Sequence, residues 1–136
     1  MASTSSRYGT RKYGILIGLQ KEKALRFLSQ ADEMLSLKHW DLAANRYYYA
    51  CFHAVQALFV SKEIVAHTHA GINAQFSLHF VKTGIVDISY GSFLARIFQL
   101  RQKADYNCAY NVSAFEVNEI VDSSHQFVTL ILSMLR

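Results

Sequence analysis

The stretch over residues 40–60 most constrains what this chain can fold into. It contains no proline or glycine. Wound as a helix at roughly 100° per residue, it would be apolar or aromatic on most of its circumference, which places such a helix in the middle of a bundle. Its polar side chains gather on one strip, formed by Asn45, Arg46, Tyr49, His53 and Gln56. We expect this strip to face a partner, a cleft or a subunit interface, so a functional site is first expected there.

The rest of the chain also predicts long helices with short connections. The 136 residues include no proline and only six glycines, which disfavours an all-β fold punctuated by turns. Apolar residues at three- and four-residue steps predict helices over about 13–37, 40–62 and 90–105, and a shorter one over about 70–83. Ser89 is a candidate cap for the third long helix, and the Ser113–Glu116 capping-box pattern begins a last helix that runs to about 135.

These helices predict an all-α fold, an up-and-down four-helix bundle with an additional short helix. One domain is expected over residues 13–136, after a flexible N-terminal tail over residues 1–12.

Composition favours a soluble cytoplasmic protein without a metal, a cofactor or a membrane partner. Cys51 and Cys108 are too few for a disulfide framework, and no apolar run is long enough to span a bilayer. The three histidines at positions 67, 69 and 79 lack the cysteines or carboxylates of a recognisable zinc spacing. A net charge of +4 permits contact with nucleic acid without requiring it.

A second polar feature lies on the helix over residues 90–105. Arg101 and Asp105, four residues apart, project from within its apolar face, near its middle and its edge, and can pair along the helix. Burying such a pair is costly unless both charges are compensated. Either the pair locks helix packing or a dimer interface, or Arg101 contacts phosphate or RNA in a cleft, or both side chains are exposed in a different register.

Three blocks of sequence carry a resemblance to a known family. They are Arg46-Tyr-Tyr-Tyr-Ala-Cys-Phe-His53, then His69-Ala-Gly71 with Phe76 to Gly84, and Leu100-Arg-Gln-Lys-Ala-Asp-Tyr106. Over about residues 20–132 the chain resembles the HEPN domain, the higher-eukaryote and prokaryote nucleotide-binding family. The resemblance implies a helical bundle, commonly a dimer, in modules that resemble toxin–antitoxin pairs and often include a minimal nucleotidyltransferase.

The resemblance also implies a site, because active HEPN proteins are metal-independent endoribonucleases with an Arg-x4–6-His motif. In that motif arginine binds phosphate and histidine transfers protons. Arg101, followed by the polar Gln102, matches its start, and the histidine would fall at positions 106–108. Those positions hold Tyr106, Asn107 and Cys108. A tyrosine with an ordinary pKa near 10 is a poor general base at neutral pH.

Arg46 and His53 also fit the motif's spacing and lie nearly on one helical face, but on an earlier helix than in the nucleases. The alternative for His53 is a core or interface histidine bonded to a neighbour.

These patterns predict a homodimeric protein that binds RNA or a nucleotide, or regulates a partner, rather than a catalyst. The expected context is a toxin–antitoxin-like module with a minimal nucleotidyltransferase. The residues expected around the cleft are Arg46, Tyr49, His53, His69, Arg101, Asp105 and Tyr106. Two alternatives remain: a metal-independent endoribonuclease with His53 and Arg101 as catalytic residues, and a purely structural interaction module. An open groove favours binding or catalysis, whereas a sealed, mutually bonded network favours the structural role.

Overall fold

The chain forms five α-helices in a computed structural model that describes the backbone of residues 2–135 and the side chains of residues 13–135. The helices are α1 (Ala2–Ser36), α2 (Trp40–Ser61), α3 (His69–Phe76), α4 (Ile88–Tyr106) and α5 (Ala114–Ser133). A π-helical turn, Ser77–Val81, continues α3. Within this described part there is no strand, and the predicted all-α bundle is confirmed. None of its helices has the length and hydropathy needed to cross a bilayer.

Helix α1 begins at Ala2, earlier than the start near residue 13 that the sequence predicts. The side chains of residues 2–12 lie outside the described residues. The flexible tail and the domain boundary after residue 12 therefore remain predictions.

Helix α2 is the central element of the bundle. It packs against α1, α4 and α5, and 12 of its 22 residues are buried, as expected for a helix that is apolar on most sides. Five of the buried residues are alanines, whose small side chains let neighbouring helices approach closely. Four of the five residues of the predicted polar strip, Asn45, Arg46, Tyr49 and Gln56, are partly exposed, whereas the fifth, His53, is buried.

Two helices end in a residue with left-handed backbone geometry. Lys38 (φ 63°) follows α1, and the His39 N–H donates to the Met34 carbonyl at 2.9 Å, which closes a Schellman motif. Glu63 (φ 56°) follows α2 in the same way. Glycine is the usual residue at such a position because it has no Cβ to clash with the backbone.

The capping residue predicted from the sequence is correct for α5 and wrong for α4. The capping box of Ser113 and Glu116 is confirmed at the start of α5. The predicted cap Ser89 is wrong for α4, because the helix begins at Ile88 and Asp87 accepts the hydrogen bond from the Ser89 N–H. Asp87 and Ser89 are both good capping residues, and Asp87, which comes first in the chain, is the one that caps the helix.

Candidate functional site

The candidate site is built around Arg101, near the carboxyl end of α4. The apolar face of α4 buries Phe93, Leu94 and Ile97, and Arg101 continues that face one turn later. Its position follows from the helix register, and the residue is only 7% exposed. A charge buried to this degree must be compensated by its neighbours.

Three side chains hold the Arg101 guanidinium. Nε donates to Asp105 Oδ2 at 2.9 Å, and Nη2 donates to the hydroxyls of Tyr49 at 2.8 Å and Tyr106 at 3.2 Å. The guanidinium carbon also lies 5.2 Å from the centroid of the Tyr49 ring and 5.1 Å from that of Tyr106, within cation–π range. We call Arg101, Asp105, Tyr49 and Tyr106 the Arg101 cluster.

One nitrogen of the Arg101 guanidinium differs from the other two. Nη1 donates to no group among residues 13–135, yet it is not a buried polar atom that lacks a partner. Nη1 therefore keeps some solvent exposure, in a side chain that is 8% exposed as a whole. Tyr106 beside it is 73% exposed. The cluster is thus neither a sealed network nor an open groove, but a fixed cation with one accessible edge.

A chain of hydrogen bonds connects the cluster to Arg46. Asp105 Oδ2 also accepts from Asn45 Nδ2 at 3.0 Å, and Asn45 Oδ1 accepts from Arg46 Nη1 at 2.6 Å. Arg46 Nε donates to Gln30 of α1 at 3.1 Å. Two arginines from different helices are therefore oriented through Asn45 and Asp105, without a direct bond between Arg46 and the carboxylate.

His53 faces α1. Its Nδ1 lies 2.7 Å from Gln20 Oε1, its ring packs edge-on against Phe27, and the residue is 9% exposed. Burial, together with the positive charges of Lys23 and Arg26, lowers the pKa of His53 to about 4. This environment is that of a core histidine held neutral.

Within residues 13–135, Tyr49 is the one member of the Arg101 cluster whose ring lies against His53. The rings of His53 and Tyr49 have centroids 6.3 Å apart, and Tyr49 carries the hydroxyl bonded to Arg101. The two predicted catalytic residues, His53 and Arg101, therefore both lie next to the Tyr49 ring.

His69, the first residue of α3, approaches the cluster from another side. Its Nδ1 lies 2.5 Å from the Tyr48 hydroxyl, and its ring stacks on Phe98. The Tyr48 ring in turn lies under Arg101, 5.8 Å from the guanidinium carbon. Partial burial and the charge of Arg101 lower the pKa of His69. Tyr48 is a site residue that the sequence does not single out, because nothing in a run of three tyrosines tells which ring contacts another helix.

The described side chains contain no group of three histidine, cysteine or acidic residues that could hold a metal ion. The groups able to act on a ligand here are the Arg101 edge, the tyrosine rings and hydroxyls, and the His69 imidazole.

Comparison with known proteins identifies the family. The model of the HEPN domain matches residues 19–134. "Putative toxin MJ0142" of Methanocaldococcus jannaschii is 29% identical over 107 residues, which cover 79% of this chain and 73% of the relative. "Putative toxin MJ0605" of the same organism is 33% identical over 109 residues, covering 80% and 81%. A "UPF0332 protein" of Thermotoga maritima is 30% identical over 120 residues, covering 88% and 91%. The chain belongs to the HEPN domain family.

Proposed function

We propose that this protein binds RNA through the Arg101 cluster and serves as the binding, regulatory component of a toxin–antitoxin-like module. The toxin names of two relatives support the module, and we further propose a homodimer and a minimal nucleotidyltransferase as its protein partners. The observation that carries the proposal is the Arg101 guanidinium, fixed by three side chains while Nη1 has no hydrogen-bond partner among residues 13–135 and is not fully buried.

The geometry suits recognition of a phosphate. A guanidinium presents its donors in a rigid plane, and Asp105 and the two tyrosine hydroxyls hold that plane before any ligand arrives. Fixing the cation beforehand reduces the ordering cost of binding. The exposed ring of Tyr106 offers a face on which a base can stack next to the bound phosphate.

The same geometry favours binding over catalysis. Tyr106 occupies the first of the three positions, 106–108, at which the family motif would have its histidine, and its hydroxyl accepts a hydrogen bond from Arg101. Tyrosine holds its proton at neutral pH and is a poor general base there. His53 is turned to Gln20 of α1 and is held neutral by its burial.

A second candidate function, metal-independent RNA cleavage, rests on His69. Its imidazole shares Tyr48 with Arg101, and its lowered pKa keeps it unprotonated at neutral pH, as a general base must be. In such a reaction the imidazole removes the proton from a ribose 2′-hydroxyl while that oxygen attacks phosphorus. The 5′-oxygen leaves as the bond breaks and takes up a proton, and Arg101 stabilises the charge on phosphate.

RNA binding is tested with Arg101→Lys, measured by the fluorescence anisotropy of a labelled single-stranded RNA. Lysine keeps the charge but loses the planar fork, so we expect at least about a tenfold rise in Kd. Arg96→Lys, an exposed arginine of the same helix, is the matched control and should bind like the wild type. Circular dichroism verifies the fold of each variant. An Arg101→Lys variant that binds RNA normally contradicts the proposal.

Cleavage is tested on the same RNA in the presence of a chelator. We expect the wild type to leave the RNA intact. Cleavage that His69→Gln abolishes and His53→Gln preserves would establish the second candidate instead. Cleavage lost in folded His53→Gln would restore the role that the sequence predicts for His53.

A further inference from the structure

A cavity opens beside the turn between α1 and α2. It has a volume of about 340 Å³, and the residues around it include Lys38, His39, Trp40, Asp41 and Asn111. Trp40 packs on the bundle core with part of its surface and is only half-buried. The cavity therefore has an aromatic wall, and beside it lie a lysine, a histidine, an amide and the Asp41 carboxylate.

The cavity and the Arg101 cluster lie at the same end of the bundle. Asn45 of α2 donates to Asp105, and one turn earlier on the same face Asp41 Oδ1 accepts from the Val112 N–H at 3.1 Å. Four residues of helix correspond to about 6 Å along the axis. The loop over residues 107–113 begins directly after Tyr106, and its Val112 is bonded to Asp41 in the first turn of α2. The loop therefore connects the two sites.

The residues around the cavity match the two parts of a nucleotide. Trp40 offers a face for a base, and the Asn111 amide can bond to a base edge. Lys38 is exposed and forms no ion pair within residues 13–135, so its ammonium is available for a phosphate. Lys38 also occupies a left-handed backbone position where glycine is favoured, as Glu63 does after α2.

We infer that this cavity binds one nucleotide of the same single-stranded RNA whose neighbouring phosphate contacts Arg101. Trp40 stacks on the base and Lys38 contacts its phosphate, and the strand continues over the 107–113 loop and Tyr106. This inference rests on the proposed function, since it assigns a second subsite to the same ligand.

The fluorescence of Trp40 tests the stacking contact directly, because it is the only tryptophan in the chain. Titration of the wild type with a five-nucleotide uridylate RNA should quench this fluorescence saturably, at the concentrations at which labelled RNA binds by anisotropy. Inorganic phosphate, which has no base, should leave the fluorescence unchanged.

Lys38→Gly tests the phosphate contact without endangering the fold, because glycine relieves the left-handed strain. Loss of one phosphate contact should lower the slope of log Kd against log salt by about 0.7, which is about a fivefold rise in Kd at 0.1 M salt. Glu63→Gly, which relieves the same strain at the end of α2, and Lys82→Ala, which removes an exposed charge elsewhere, should retain the wild-type slope.

The outcomes separate this inference from the proposed function. If Arg101→Lys weakens RNA binding while Trp40 does not respond and Lys38→Gly behaves as wild type, the cavity is not a subsite and the proposed function stands. If labelled RNA fails to bind and Trp40 is quenched by uridine monophosphate, the cavity binds nucleotides and the proposed RNA function fails. An absence of both signals overturns the two together.

Discussion

Replacing Asp105 with asparagine is the sharpest perturbation of the Arg101 cluster. The change keeps the shape of the side chain and removes the charge that Arg101 pairs with. Asp105 Oδ2 accepts two hydrogen bonds, from Arg101 Nε at 2.9 Å and from Asn45 Nδ2 at 3.0 Å. The side chains of Arg101 and Asp105 are 8% and 24% exposed. This pair is therefore covered on the arginine side and partly hydrated on the carboxylate side.

These exposures set the expected loss of stability. An exposed ion pair contributes about 0–1 kcal/mol, whereas removing one partner of a fully buried pair costs about 3–5 kcal/mol. With Arg101 buried and Asp105 partly solvated, we expect the free energy of unfolding to fall by about 2 kcal/mol. The amide oxygen of asparagine can still accept one neutral hydrogen bond, which keeps the loss below the upper range. The corresponding fall in Tm is about 6 °C for a chain of this size.

Urea unfolding, followed by circular dichroism at pH 7, measures this difference. Glu119→Gln, an exposed carboxylate of α5, is the matched control and should change the free energy of unfolding by less than about 0.5 kcal/mol. If Asp105→Asn is equally neutral, the carboxylate does not stabilise the buried arginine, and the reasoning from burial is refuted.

Three further predictions concern stability and are measured by urea unfolding. Because the pKa of His53 is lowered from 6.5 to about 4, the unfolded chain binds more protons between these values. Stability should therefore fall by roughly 2–3 kcal/mol as the pH decreases through that window, and His53→Gln should flatten the profile. Lys38→Gly and Glu63→Gly should each stabilise the protein by about 0.5 kcal/mol, since relief of left-handed strain exceeds the added chain entropy of glycine; a loss contradicts this. Ser113→Ala should cost about 1 kcal/mol and Ser89→Ala less than about 0.5 kcal/mol, because only Ser113 caps a helix; equal losses would contradict the assignment.

The periodicity of apolar residues predicted most of the fold, because the spacing of these residues in each helix shows which face of that helix is buried. The order of the helices, the central place of α2 and the capping box at Ser113 all follow from local patterns. Residues 77–81 show where such patterns fail. The sequence predicts one helix over about 70–83, but α3 ends at Phe76 and continues as a π-helical turn. Phe76 and Phe80 are buried in this arrangement, and their spacing fits an ordinary helix equally well.

Of the contacts in the candidate site, only those between residues of the same helix could be predicted from the sequence. Arg101 and Asp105 are four residues apart, so their pairing follows from helix geometry. The partners of the histidines depend instead on how whole helices are placed against each other. His53 meets Gln20, 33 positions away, and His69 meets Tyr48, 21 positions away. A shift of α1 or α3 by one turn would change these pairs without altering any pattern along the chain.

RNA binding by Asp105→Asn distinguishes a binding site from a structural lock. If the cluster only holds α2 against α4, the variant loses stability and its affinity for RNA is unaffected. If Arg101 contacts phosphate, removing the carboxylate removes a negative charge that competes with the ligand for the same cation, while the asparagine amide oxygen can still accept the hydrogen bond that orients the guanidinium. We therefore expect the folded variant to bind RNA more tightly, by roughly three- to tenfold at low salt, while its stability decreases. A module that loses stability and gains affinity through one substitution uses its buried arginine for recognition as well as for packing.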